Sequence, residues 1–103
     1  MKPDQFRHLA LAMPGAVEGS HQRHADFRAG NKIFASLGYP DAKWGMVKLT
    51  PDQQEMLTAT EPLVFKPAKG TWRARGSTQV FLDAVNEPTA ASAIMMAWAN
   101  ITS

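Results

Sequence analysis

Cysteine is absent from this chain of 103 residues. That excludes disulfides, cysteine nucleophiles and thiolate metal sites. Long apolar runs are absent as well: no stretch reaches the roughly 18 apolar residues that mark a membrane span. Met1-Lys2-Pro3-Asp4 lacks the apolar core of a signal peptide, and Asp4 breaks a basic leader, so the expected location is the cytoplasm. A strong excess of one charge is missing: 11 Lys and Arg face 9 Asp and Glu, a net of +2. No linker, repeat or low-complexity run interrupts the chain.

What remains is ordinary globular composition. Apolar residues make up 45% and charged residues 19%, which suits a folded chain rather than a disordered one. The length fits one domain with one modest core.

Phe6, Leu9, Ala10 and Met13 recur at i, i+3, i+4 and i+7, which predicts a first helix over about 3–13, opened by Pro3 and closed by Pro14-Gly15. Val17 to Gly19 is a weak strand candidate. His24 to Arg28 alternates, with Ala25 and Phe27 opposite His24, Asp26 and Arg28. Ala29-Gly30-Asn31 signals a turn. Lys32 to Leu37 reads as a strand with Ile33, Ala35 and Leu37 on one face, and Gly38-Tyr39-Pro40-Asp41 as another turn. In the strand Lys43 to Leu49, Trp44, Met46 and Lys48 share a face, and Gly45 marks a bend or a close backbone approach. Thr50, Pro51 and Gln53 form a capping box for a helix over about 51–59, with Met56 and Leu57 as its apolar face. A strand at Leu63 to Lys66, a loop from Pro67 to Ser77 and a strand at Ser77 to Leu82 follow. Asn86 is the N-cap expected for a last helix over about 87–100, with Ala91, Ile94, Met95 and Trp98 as its buried stripe. The expected fold is α+β: a two-layer sandwich of a curved antiparallel sheet with helices on one face, in the order α-β-β-β(-β)-α-β-β-α.

The charge distribution is more telling than its sum. Lys66, Lys69, Arg73 and Arg75 stand in one stretch with no acid between them, and Trp72 lies among them. Positives interleaved with an aromatic are the usual make-up of a surface that meets phosphates and bases. The bland reading makes Trp72 a loop plug and the cations a solvated face. Arg28 ends one hairpin strand and Lys32 begins the next, so both can project from a single wing. Lys48 shares a face with Trp44 and Met46. Either those two are core residues under a helix with Lys48 at its edge, or Trp44 is exposed beside a base or a protein partner. Phosphate contacts of this kind give affinity without reading sequence.

Other chemistry finds little support. His21, His24 and Asp26 lie close enough for a metal, but without the regular spacing of zinc motifs. A surface turn with a local Asp–His or Asp–Arg contact is the better reading. His8, off the apolar stripe, reads as solvated. Lys69-Gly70-Thr71 lacks the glycine spacing of a phosphate-cradling loop. The serines have no nucleophile-elbow context. No catalytic residue, cofactor or metal is therefore expected.

His24-Ala25-Asp26-Phe27-Arg28, Lys32-Ile33-Phe34-Ala35, Trp44-Gly45-Met46-Val47-Lys48-Leu49 and Pro51-Asp52-Gln53-Gln54 together resemble the MmcQ/YjbR-like family. Phe65-Lys66-Pro67, Gly70-Thr71-Trp72, Arg75-Gly76 and Ala97-Trp98 continue the likeness, which covers nearly the whole chain. The resemblance implies a single domain over 1–103, similar to the frataxin and type III secretion chaperone folds. It also implies a DNA-binding protein with a double-wing arrangement, and it brings no agreed catalytic residues. The acidic iron site of frataxins is not matched, since the first helix holds only Asp4 as an acid. The expected partner is double-stranded DNA, held by Arg28, Lys32, Lys48, Lys66, Lys69, Trp72, Arg73 and Arg75. The alternative is a protein-interaction or chaperone-like module, dimeric through its last helix or bound to a protein client, with no nucleic acid and no catalysis.

Overall fold

The computed structural model describes residues 1–70 and 75–103. The order is α1 (Pro3–Leu11), β1 (Val17–His21), β2 (His24–Ala29), β3 (Lys32–Leu37), β4 (Trp44–Lys48), α2 (Pro51–Thr60), β5 (Phe65–Pro67), β6 (Ser77–Phe81) and α3 (Glu87–Thr102). The strands form one six-stranded sheet in the order β1-β2-β3-β4-β6-β5, with every neighbouring pair antiparallel. The α+β two-layer architecture anticipated from the sequence is thus present.

Local chemistry sets the element ends. Thr50 Oγ1 accepts from the Gln53 amide at 3.1 Å while the Thr50 amide donates to Gln53 Oε1 at 2.9 Å, closing the capping box of α2. Asn86 Oδ1 accepts from the Thr89 amide at 2.9 Å and caps α3. Each bond satisfies a helix-end group that has no partner within the helix. β1 runs longer than the sequence suggests, reaching His21, and joins β2 through Gln22 and Arg23. Both adopt left-handed backbone, with φ of 50° and 68°. Such φ values match the twist of a two-residue hairpin but carry no glycine as a signal.

The helices lie on one face of the sheet. Phe6 of α1, Phe27, Phe34 and Ala35 of β2 and β3, Val47 of β4, Val80 of β6 and Ile94 and Ala97 of α3 are all fully buried in one core. A register shift in β2–β3 between Phe27 and Arg28 brings both Phe34 and Ala35 into that core, where strict alternation would expose one of them. Gly45 belongs to this inner face: a Cβ there would stand 3.0 Å from the Phe6 ring. The close approach expected at Gly45 is therefore the seat of α1.

Two helices differ from expectation in what they bury. α2 buries Gln54 rather than Met56, which is 48% exposed. The Gln54 amide donates to the Ser77 carbonyl at 3.0 Å and to Thr78 Oγ1 at 3.1 Å, anchoring the helix to β6 by hydrogen bonds, while Leu57 of the expected apolar face packs against the core. α3 buries Ala90, Ala93, Ile94 and Ala97 and leaves Met95 exposed. Its small residues let the helix sit close to the sheet. Among the described residues no helix is long and apolar enough to cross a membrane.

Candidate functional site

The site is built from strand register. Lys48, the last residue of β4, lies opposite Ser77, the first of β6. The next pair along is joined by a hydrogen bond from the Leu49 amide to the Gly76 carbonyl, 3.0 Å. Arg75 immediately precedes it. On the far side of β6, Pro67 pairs with Thr78 and the Ala68 amide donates to Ser77 at 3.0 Å, so Lys69 leaves the sheet at the same end. Ala35 lies opposite Val47, which places the start of β3, and with it Lys32, at this end as well. Lys32 pairs with Ala29, one residue beyond Arg28. Five of the sequence candidates, Arg28, Lys32, Lys48, Lys69 and Arg75, therefore gather at one end of the sheet from four strands and their loops. Lys66 stands one row further in, opposite Gln79. Trp72 and Arg73 lie outside the described residues.

Arg28, Lys48 and Lys66 share a second property. They project from the face turned away from the helices, because Phe27, Val47 and Phe65, their sequence neighbours, enter the core. Among the described residues no helix covers this outer face.

Asp26 is the buried charge of the outer face. Its side chain has no solvent exposure. Oδ1 accepts from Arg28 Nε at 2.7 Å and Oδ2 from Arg28 Nη2 at 3.0 Å, a bidentate pair, and His21 Nδ1 lies 2.8 Å from Oδ2. The Arg28 guanidinium holds the Asp26 carboxyl below its ordinary value, opposed by burial and aided by His21. Asp26 in turn raises the Arg28 value. Gly19, opposite Asp26 on β1, makes the space: a Cβ there would be 3.0 Å from both Arg28 Nε and Asp26 Oδ1. The pair fixes the Arg28 guanidinium on the sheet surface and commits two of its donors. Of the histidines proposed with Asp26, His21 is bound to it, while His24 turns to Tyr39, with ring centroids 5.8 Å apart. The local Asp–His and Asp–Arg contacts are both present, around a carboxylate more deeply buried than a surface turn implies.

Trp44 and Met46 are not core residues under a helix. Since Gly45 and Val47 fill the inner face, their neighbours are turned to the outer one. Trp44 lies directly opposite Phe81 of β6, with ring centroids 4.9 Å apart and planes at 39°. Met46 pairs with Gln79 on one side and Ser36 on the other, and Ser36 pairs with Asp26. The outer face thus carries a row of Asp26, Ser36, Met46, Gln79 and Lys66 between an aromatic end and a cationic end. Phe81, Gln79 and Ser36 were missed from sequence. Their signal is the strand register, which alternation within a single strand does not supply.

These features define a two-layer α+β domain with a helix-free, cation-edged sheet face. A family model, YjbR, matches residues 11–100. The chain belongs to the YjbR family. It is also similar to a crystal structure, that of the Deinococcus radiodurans protein DR2400, described with the domain DUF419. The TM-score is 0.82 at 17% identity over 99% of this chain and 79% of that one. At that identity the likeness carries the fold alone. No curated protein matches the chain.

Proposed function

We propose that this protein binds DNA through phosphate contacts made by the cationic end of its sheet, and that it does so without catalysis. The observation that carries the reading is the register that gathers Lys48, Lys69 and Arg75, with Arg28 and Lys32 beside them, at one end of the sheet, where Arg28, Lys48 and Lys66 project from a face no described helix covers. A row of cations from separate strands matches a row of phosphates. Its affinity is electrostatic and independent of sequence. The family resemblance read from the sequence implies the same partner. A cavity of about 310 Å³ lies on the helix side, lined by Asp4, Gln5, His8, Leu9 and Glu87, away from the His21–Asp26 pair.

The test is fluorescence anisotropy of a labelled random-sequence duplex across salt concentrations. Lys48→Ala/Lys66→Ala/Lys69→Ala/Arg75→Ala is run beside the parent chain. The parent should bind with an affinity that falls linearly in log–log against salt. The quadruple variant should lose about 3.6 from that slope, since each duplex phosphate contact contributes about 0.9. Absence of binding at low salt overturns the reading, and so does an unchanged slope in a folded variant.

One observation favours the alternative, a protein-interaction module. From Pro88 to Thr102 α3 carries no charged residue, and Met95 is 56% exposed on it. Sedimentation of the parent and of Met95→Lys separates the two: self-association that the variant abolishes, with no DNA binding, assigns the surface to protein.

A further inference from the structure

We propose that the outer sheet face accepts an unpaired base, so that the DNA held at the cationic end is preferentially single-stranded. The proposal rests on the phosphate-binding reading above and adds the class of DNA. Three features of the face carry it.

First, Trp44 and Phe81 form a half-buried aromatic pair on adjacent strands, on the face turned away from the helices. A second pair adjoins it. The Gly38 amide donates to the Trp44 carbonyl at 3.0 Å and the His24 ring stands against Tyr39, which is 63% exposed. Aromatic rings on an uncovered sheet are a stacking platform for splayed bases, and a base inside a duplex cannot offer its face to them.

Second, Gln79 is only 9% exposed, yet no described residue partners its side-chain amide. It lies one row along β6 from Phe81, between Met46 and Lys66. No buried side-chain nitrogen or oxygen among the described residues lacks a partner, so this amide keeps its polar atoms open to solvent, and its donor and acceptor suit a ligand that presents both. The edge of an unpaired base does so.

Third, the cations lie in line with this pair. Trp44 and Lys48 are the two ends of β4, a span of roughly 13 Å at the usual rise per strand residue. A strand laid along β4 and β6 would stack a base on Trp44 and Phe81, meet Gln79 in the middle and leave its phosphates beside Lys48, Lys66 and Lys69. The charge complementarity is directional, from an aromatic end to a cationic one.

The experiment compares a labelled oligo-dT single strand with a random duplex of equal length at one salt concentration. Trp44→Leu, Phe81→Leu and Gln79→Leu are assayed for single-strand affinity, and circular dichroism establishes that each is folded. The parent should prefer the single strand. Trp44→Leu should lose about tenfold in single-strand affinity, the order expected for one stacked base, while the salt slope stays in place. Phe81→Leu repeats that reading from the neighbouring strand should Trp44→Leu not fold, and Gln79→Leu reads the amide separately. Equal or tighter binding of the duplex overturns the inference while leaving the phosphate reading intact, and so does unchanged single-strand affinity in the folded variants. Failure of both DNAs to bind at low salt removes the phosphate reading itself.

Discussion

Gly76 offers a sharp test of how the cationic end is built. Its φ is +87°, and an added Cβ would stand 1.6 Å from the Leu49 carbonyl oxygen and 2.7 Å from its carbon. Gly30 is the natural control: its φ is +58°, but a Cβ there meets nothing within 4 Å. Both alanine variants incur the left-handed backbone cost of about 1–2 kcal/mol. Only Gly76→Ala must also separate two strands. Ordinary contact begins near 3.4 Å, so the Leu49 backbone has to retreat by nearly 2 Å. That movement breaks the 3.0 Å bond from the Leu49 amide to the Gly76 carbonyl and leaves buried groups unsatisfied, at about 1–3 kcal/mol. Leu49, 3% exposed, is displaced from the core as well. Gly76→Ala should therefore cost at least about 3 kcal/mol, against a total of roughly 5–15 kcal/mol for a domain of this size. Gly30→Ala should cost at most about 2 kcal/mol. Urea denaturation followed by circular dichroism reads both, and the gap should appear as a midpoint difference of about 0.5 M or more. If the two variants unfold at the same midpoint, the clash at Gly76 does not govern this end of the sheet and the argument from close approach fails.

The buried carboxylate sets a pH dependence. Asp26 has a folded-state pKa held down chiefly by Arg28, so the unfolded state binds the proton more readily and stability rises with pH through this window. The contribution is full above the ordinary carboxylate value of 3.8 and disappears as pH falls through the lowered folded value. Urea midpoints measured from neutral pH downward should show that acid loss, and Asp26→Asn should flatten it; an equally steep acid limb in the variant would assign the loss to other carboxylates. Gln54→Ala should destabilise by about 1–3 kcal/mol, because its amide ties α2 to Ser77 and Thr78 of β6. A thermal melt within a degree of the parent would show that α2 is held by something else.

Much of the fold was legible because its signals are local. The i, i+3, i+4 stripe of Phe6, Leu9 and Ala10 located α1, and the capping box at Thr50 and Gln53 located α2 to within a residue. The glycine and asparagine of Gly30-Asn31 marked the β2–β3 turn, where both take positive φ. β1 was curtailed because its hairpin uses Gln22 and Arg23, residues that rarely take left-handed backbone and so send no turn signal. In α3 the apolar stripe was misplaced for a different reason. From Ala90 to Ala99 every residue but Ser92 is apolar, so periodicity has no polar face to read against. The close packing of Ala90, Ala93 and Ala97 then decided the burial.

The site was legible one strand at a time and no further. Alternation placed Asp26 with Arg28 and Lys48 with Trp44 and Met46. It could not say which face the helices would take. Size argued for Trp44 and Met46 inward, yet a small residue at Gly45 is what lets Phe6 approach the sheet, and seating the helix there turns both larger side chains outward. The same choice of face exposes Lys66 and sets Gln79 between a thioether and an ammonium group. One glycine in β4 thus determines both where the core closes and what the open face presents. If the outer face binds a strand of DNA, Gly45 acts through Phe6, by leaving Trp44 no room in the core.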